Sequence, residues 1–286
     1  MNSFPRASLV IALVLTGCGK ADAPPAAGGD ANAPAAAAGG AKSGRAVGRL
    51  LEEGGRVISV PGAKLSVSLW GVSSKSGEQV SYNPPVGADG SYSQKLADGS
   101  YAFSGARIDV PFDGKHFVFD LEPVGDDHVN RESEPGIVQD YVWKLKGLRA
   151  GQDPDESNFT RWHGVSVAPV FAGYREDVKK PAAKPPAGAK CVFTLRPKGK
   201  IVDGTDGETL TFAREYDPLL GGLKIPNLPD VPLGVYVLTG VETAPDGTKT
   251  PLLMGLEYAK FGNSKEIHFA PGSSTGAWPC NVSFTR

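Results

Sequence analysis

Asp-Gly pairs punctuate the chain, among them Asp89-Gly90, Asp98-Gly99, Asp113-Gly114, Asp203-Gly204 and Asp246-Gly247. Such pairs favour tight hairpin turns, because both residues tolerate the left-handed backbone that those turns require. Short alternating or apolar runs lie between them. Leu65, Val67 and Leu69 fall on one face, and Ile137, Tyr141, Trp143 and Leu145 share one side, so Trp143 is expected to pack inward. With 37 glycines and 24 prolines, few stretches lack both residues, and no segment sustains a helical period. Antiparallel hairpins are the expectation, and the fold class is all-β.

The strand-rich part divides in two. A Lys/Pro stretch at 179–190 reads as an extended, solvated spacer. It separates a first domain, 45–178, from a second, 191–286. A short signature recurs near the middle of each: Gly99-Ser-Tyr101-Ala-Phe-Ser-Gly105 in the first and Gly234-Val-Tyr236-Val-Leu-Thr-Gly240 in the second. In both, a turn glycine feeds a strand that opens with a tyrosine, which predicts tandem related domains.

In the first domain, Gly48-Arg-Leu-Leu51, then Pro61-Gly62-Ala63 running into Leu65 and Val67, then Asp89-Gly90-Ser-Tyr92, then Leu96-Ala-Asp-Gly99-Ser-Tyr101 form a second pattern. It resembles the carboxypeptidase regulatory-like, or transthyretin-like, domain over residues 46–124, with Leu50 where the family usually has valine. The resemblance implies a Greek-key β-sandwich, and hence two tandem sandwiches if the second domain is a relative. That second domain keeps only the Gly-x-Tyr portion, and residues 125–178 are expected to extend the first domain.

The N-terminal segment follows another logic. Arg6 precedes a ten-residue apolar run, Ala7–Thr16, too short for the ~20 residues that span a bilayer as a helix. A basic start, a short apolar core and a small-residue exit read as an export signal over 1–17. The exit, Leu15-Thr16-Gly17-Cys18, resembles the lipobox of bacterial lipoproteins. That resemblance implies lipid on Cys18, which becomes the membrane anchor, and Gly19 after it points to the outer membrane. Residues 18–44 hold no large apolar side chain beyond the cysteine, so a disordered tether with a typical span of roughly 30 Å is expected.

Cys191 and Cys280 remain. An even pair in an exported chain favours a disulfide over metal binding, since neither has a CxxC or a nearby histidine. It would close a loop of about 90 residues and contribute up to about 4–5 kcal/mol in the chain-entropy model.

Catalytic and cofactor motifs are missing. Gly272-Ser-Ser274-Thr-Gly276 matches G-x-S-x-G formally, yet no histidine follows Ser274 and Pro279 is close behind. His116, His128, His163 and His268 lie far apart and form no HExxH motif. The acidic clusters at Asp126-Asp127, Asp153–Glu156 and Asp203–Glu208 miss the calcium-loop spacing and read as solvated turns. No metal and no cofactor is expected. The formal charge of −1, from 30 basic and 31 acidic residues, offers no field for nucleic acid. Trp70, Tyr82, Tyr92, Trp162 and Trp278 are candidate contacts for a sugar or a protein partner, since aromatic faces serve both. The chain therefore reads as a lipid-anchored envelope protein with a non-catalytic binding or scaffolding role. Its expected partner is another envelope protein or a polysaccharide, and carbohydrate binding is the alternative.

Overall fold

A computed structural model describes residues 42–286 apart from 127, 257, 258, 274 and 275. The export signal, Cys18 and most of the tether lie outside the described residues, as does Ser274. The described part is all-β, with one 3-10 turn at Phe159–Arg161.

The first ten strands are β1 (Arg45–Glu52), β2 (Lys64–Ser73), β3 (Gln79–Tyr82), β4 (Ser91–Lys95), β5 (Gly99–Phe112), β6 (Lys115–Asp120), β7 (Glu122–Pro123), β8 (Arg131–Glu132), β9 (Ile137–Val138) and β10 (Tyr141–Trp143). They form two sheets, in the orders β4-β1-β10-β7 and β3-β2-β5-β6. The chain passes between the sheets after β1, β3, β4, β6, β7 and β8, so consecutive segments face each other across a shared core, as in a sandwich. Period-two burial supplies that core. Ala46 and Leu50 from one sheet meet Val67, Leu69, Phe103, Ile108 and Phe117 from the other, all buried. Gly48 allows the closest approach: a Cβ there would lie 1.7 Å from the Gln139 carbonyl oxygen and 2.6 Å from Tyr92 Oη.

The remaining strands are β11 (Val165–Phe171), β12 (Tyr174–Arg175), β13 (Lys180–Pro181), β14 (Lys190–Pro197), β15 (Leu210–Asp217), β16 (Gly222–Leu223), β17 (Leu228–Val231), β18 (Tyr236–Thr243), β19 (Lys249–Leu256), β20 (Ala259–Gly262), β21 (Lys265–Ile267), β22 (Ala270–Pro271), β23 (Ala277–Trp278) and β24 (Cys280–Thr285). Eight run in one sheet, β16-β15-β14-β18-β19-β24-β11-β17. Its two halves curl over one core. Phe193 on β14 meets Phe284 on β24 at 5.5 Å, and Phe171 on β11 meets Tyr216 on β15 at 5.7 Å.

The strand pairing crosses the expected boundaries. Strand β11, within the segment assigned to the first domain, pairs in parallel with β24 and antiparallel with β17. Val165 through Pro169 are buried without alternation, as a strand covered on both faces requires. The stretch 179–190 is likewise no free spacer. Lys180–Pro181 pairs with Tyr174–Arg175, Ala182 and Ala189 are buried, and the Ala183 carbonyl accepts from Thr285 Oγ1 and the Arg286 amide.

Cys191 and Cys280 are free thiols, so the expected disulfide is not formed. Strands β14 and β24 run in opposite directions, since three antiparallel pairings separate them. The Phe193–Phe284 contact sets their relative height. Cys191 lies two residues before Phe193 and Cys280 four before Phe284, on opposite sides of that contact. At ~3.3 Å per residue the two cysteines stand roughly 20 Å apart, whereas a disulfide needs Cα atoms within about 7 Å. Burial, opposed slightly by Lys115, pushes the Cys280 thiol up to about 11. Burial beside Glu242 pushes Cys191 to about 12.

Candidate functional site

The end of β1 and the end of β10 meet the 200–210 loop of the second module, and a cleft of about 280 Å³ opens between them. Each wall is locally determined. After β1 the chain turns back, with the Glu52 amide donating to the Arg56 carbonyl at 2.8 Å and Arg56 pairing with Glu52 at 3.0 Å. The Glu53 amide donates to the Trp143 carbonyl at 3.2 Å, which ties that turn to β10. On the opposite wall Asp203 Oδ1 accepts from the Thr205 amide and hydroxyl at 2.9 and 2.7 Å, the self-capping that makes Asp a turn former. Gly204 beside it takes a φ of +82°.

The floor of the cleft is apolar, formed by Trp143, Leu145, Ile201, Leu210 and Pro232. Its rim carries five acids, Glu52, Glu53, Asp203, Asp206 and Glu208, against two bases, Arg56 and Lys146, so the site is electronegative. Three of these acids are neutralised: Glu52 by Arg56, Glu208 by Lys146 at 3.2 Å and Asp206 by Lys200 at 2.7 Å. Glu53 and Asp203 have no ion-pair partner among the described residues. Trp143 is buried, and its Nε1–H is without a hydrogen-bond partner among those residues. A buried donor left unpaired costs free energy of order 1–3 kcal/mol. An apolar floor with a few polar groups on its rim is the usual composition of a small-ligand site.

Beside the cleft, buried charge joins the two modules. His163 Nε2 lies 2.7 Å from Glu122 Oε2 on β7, and Lys144 Nζ lies 2.9 Å from the same oxygen. Burial holds the His163 pKa below the usual histidine value, against the opposing pull of the Glu122 hydrogen bond. Asp230 on β17 takes a φ of +61°, and its carboxylate accepts from the Gly147 amide at 2.7 Å and the Gly164 amide at 3.2 Å. Burial raises its pKa above the normal carboxyl value despite those donors. The cluster holds both crossings of the 144–164 connection.

The aromatic residues expected to form a contact platform do not converge. Tyr92 is core, 3% exposed, and donates to the Gln139 carbonyl at 2.5 Å. Tyr82 packs half-buried against Tyr101, with ring centroids 6.1 Å apart. Trp162 is half-buried and donates to the Asp155 carbonyl at 3.2 Å. Trp70 and Trp278 are exposed, but apart. Trp70 lies six residues along β2 from Lys64, whose row reaches Val118, and the Gly276 amide near Trp278 bonds there. At strand spacing that is roughly 20 Å. Three of the histidines sit in separate carboxylate pairs: His116 with Asp109, His163 with Glu122, and His268 with Asp113 and Glu266. Among the described residues no three His, Cys, Asp or Glu side chains gather to hold a metal. Trp143 was legible as a core residue. Its place on the floor of a cleft depends on the 200–210 loop, sixty residues away, which no local pattern connects to it.

No family model and no curated protein matches the chain. Among solved structures it is similar to a leucine-rich repeat protein from Bacteroides thetaiotaomicron, at 13% identity and a TM-score of 0.22. That match covers 86% of this chain and 27% of the other, so the chain spans little more than a quarter of that protein. It is also similar to the C-terminal fragment of the pilus adhesin SpaC from Lactobacillus rhamnosus GG, with 12% identity, 84% and 95% coverage and a TM-score of 0.24. A DUF3823 family protein from Bacteroides ovatus matches at 11% identity over 79% of this chain and 98% of that one, with a TM-score of 0.21. The likeness extends no further than the all-β sandwich character.

Proposed function

We propose that this chain is a lipid-anchored protein of the bacterial cell envelope that binds a partner through the cleft between its two modules and carries out no catalysis. The observation that carries the binding reading is the cleft's composition: an apolar floor that includes Trp143, with Glu53 and Asp203 on the rim and without an ion-pair partner among the described residues. The partner is another envelope protein or polymer that presents cationic or hydroxyl groups. Residues 46–124 are read as a carboxypeptidase regulatory-like domain. Their two-sheet sandwich is what that resemblance implies. The anchor rests on Leu15-Thr16-Gly17-Cys18 behind a short apolar run, and the outer membrane on Gly19.

Two measurements test this reading. Cells fed an alkyne-bearing fatty acid should label the wild-type chain and leave Cys18→Ser unlabelled and released from the membrane fraction. Equal labelling or equal release would sink the anchor. For the cleft, in-cell crosslinking followed by pull-down should recover a partner with the wild type and lose it with Glu53→Lys/Asp203→Lys. A partner retained by that variant would remove the cleft from the account.

A further inference from the structure

At the end of the second module remote from the cleft, β15 and β16 close a hairpin whose tip, Pro218–Gly221, is apolar and unsheltered. Leu219 is 94% exposed and Leu220 67%. The tip is held in shape. Tyr216 pairs with Leu223 and Asp217 with Gly222, the Leu219 amide donates to Asp217 Oδ1 at 2.8 Å, and Gly221 takes a φ of +66°. Single exposed apolar residues are ordinary. Two adjacent leucines fixed outward by an ordered turn are not, because the ordering forbids the local collapse that would hide them.

The neighbourhood carries more cations than acids: Glu176, Asp177 and Glu215 are held in ion pairs, and Asp217, at the foot of the tip, is the acid without one among the described residues. The ends of β11, β14 and β24 gather here, and residues 172–189 run between them. Lys180, Lys184 and Lys190 are exposed on this end and take part in no ion pair among the described residues. Val178 and Tyr174 of the adjoining β12–β13 hairpin add exposed apolar surface. We infer that the Leu219-Leu220 tip is a bilayer-contact element, which sinks its two leucines into the interface of an anionic membrane while the three lysines meet lipid phosphates. A convex tip of two side chains offers far less than the ~800 Å² per partner of a stable protein interface. Leucines flanked by free cations suit instead the boundary between acyl chains and headgroups. The inference deepens the envelope reading without using Cys18.

The test uses the chain from Gly19 onward, which keeps both modules and all described core residues but lacks the apolar run and the Cys18 thiol. It is sedimented with vesicles of phosphatidylethanolamine and phosphatidylglycerol, and with phosphatidylcholine vesicles as the neutral comparison. Binding to the anionic vesicles is expected to weaken about tenfold in Leu219→Ser/Leu220→Ser. In Lys180→Gln/Lys184→Gln/Lys190→Gln it should weaken and lose much of its salt dependence. Unchanged thermal unfolding of both variants certifies the fold, since every altered side chain is solvent-facing. Absent vesicle binding, binding indifferent to both variants, or a protein crosslink that needs Leu219 without any vesicle binding would each overturn the inference. Because Cys18 is missing from the tested chain, none of these outcomes bears on the lipid anchor.

Discussion

Tyr101 and Tyr236 are the recurring tyrosines of the two sequence signatures, and the structure gives them one job. Each is fully buried at the start of its strand, and each hydroxyl donates to the carbonyl four residues upstream, Ala97 at 3.0 Å and Pro232 at 2.9 Å. The ring fills the core while the hydroxyl fastens the incoming turn, so the chain enters β5 and β18 at a fixed angle. Burial pushes the Tyr101 phenol up to about 12 and raises that of Tyr236 as well. Tyr236→Phe keeps the ring and orphans the Pro232 carbonyl, at an expected cost of about 1–2 kcal/mol in urea unfolding. Tyr101→Phe should cost a similar amount, and a loss near zero in both would refute the shared role. The tyrosines were legible because a turn glycine and a strand residue are adjacent in sequence. Gly48 was legible only as a motif member, since the carbonyl that excludes its side chain belongs to Gln139, ninety residues on. The cysteines were misread for the same reason: an even count says nothing about which end of a strand each thiol occupies.

Among the elements, the strands announced themselves and their partners did not. Alternation in β2, β5 and β14 and the Asp-Gly turns are local signals. Strand β11 has no alternation, so nothing in Val165–Phe171 says that its neighbour is the C-terminal strand. The short β7 strand is equally silent, yet it carries Glu122 to His163. That pair makes the joint between modules sensitive to acid. His163 binds a proton less tightly folded than unfolded, because burial disfavours the imidazolium. Between its lowered folded value and the ~6.5 of the unfolded chain, the unfolded state holds more protons. Stability is therefore full above that window and falls as pH drops through it. His163→Gln, which retains a donor for Glu122, should unfold with a smaller drop in Tm between neutral and mildly acid buffer than the wild type. Parallel curves would assign the acid response elsewhere.

Among the described residues the buried apolar side chains form one continuous cluster, and one strand is borrowed across the expected boundary. The first sandwich closes at Trp143 and the second borrows β11 from upstream of the Lys/Pro stretch. A fragment covering 191–286 lacks β11, leaving β24 unpaired on one side and Phe284 without the Phe171 ring at 5.8 Å. Such an open apolar edge invites aggregation. The expected outcome is that 191–286 is insoluble or molten while 165–286 gives sharp amide spectra. A well-dispersed spectrum from 191–286 alone would show that the borrowed strand is dispensable.

The parallel pairing of β11 with β24 also sets an order of events at birth. A ribosome delivers Val165–Phe171 more than a hundred residues before Cys280–Thr285, the segment against which it must lie. Until Leu228–Val231 arrives that seven-residue run of mostly apolar character has no strand to pair with, and its other edge waits for Cys280–Thr285, whereas the first sandwich is already complete. A holdase that shelters such runs would therefore dwell on this chain late, and release it only once Cys280–Thr285 has emerged.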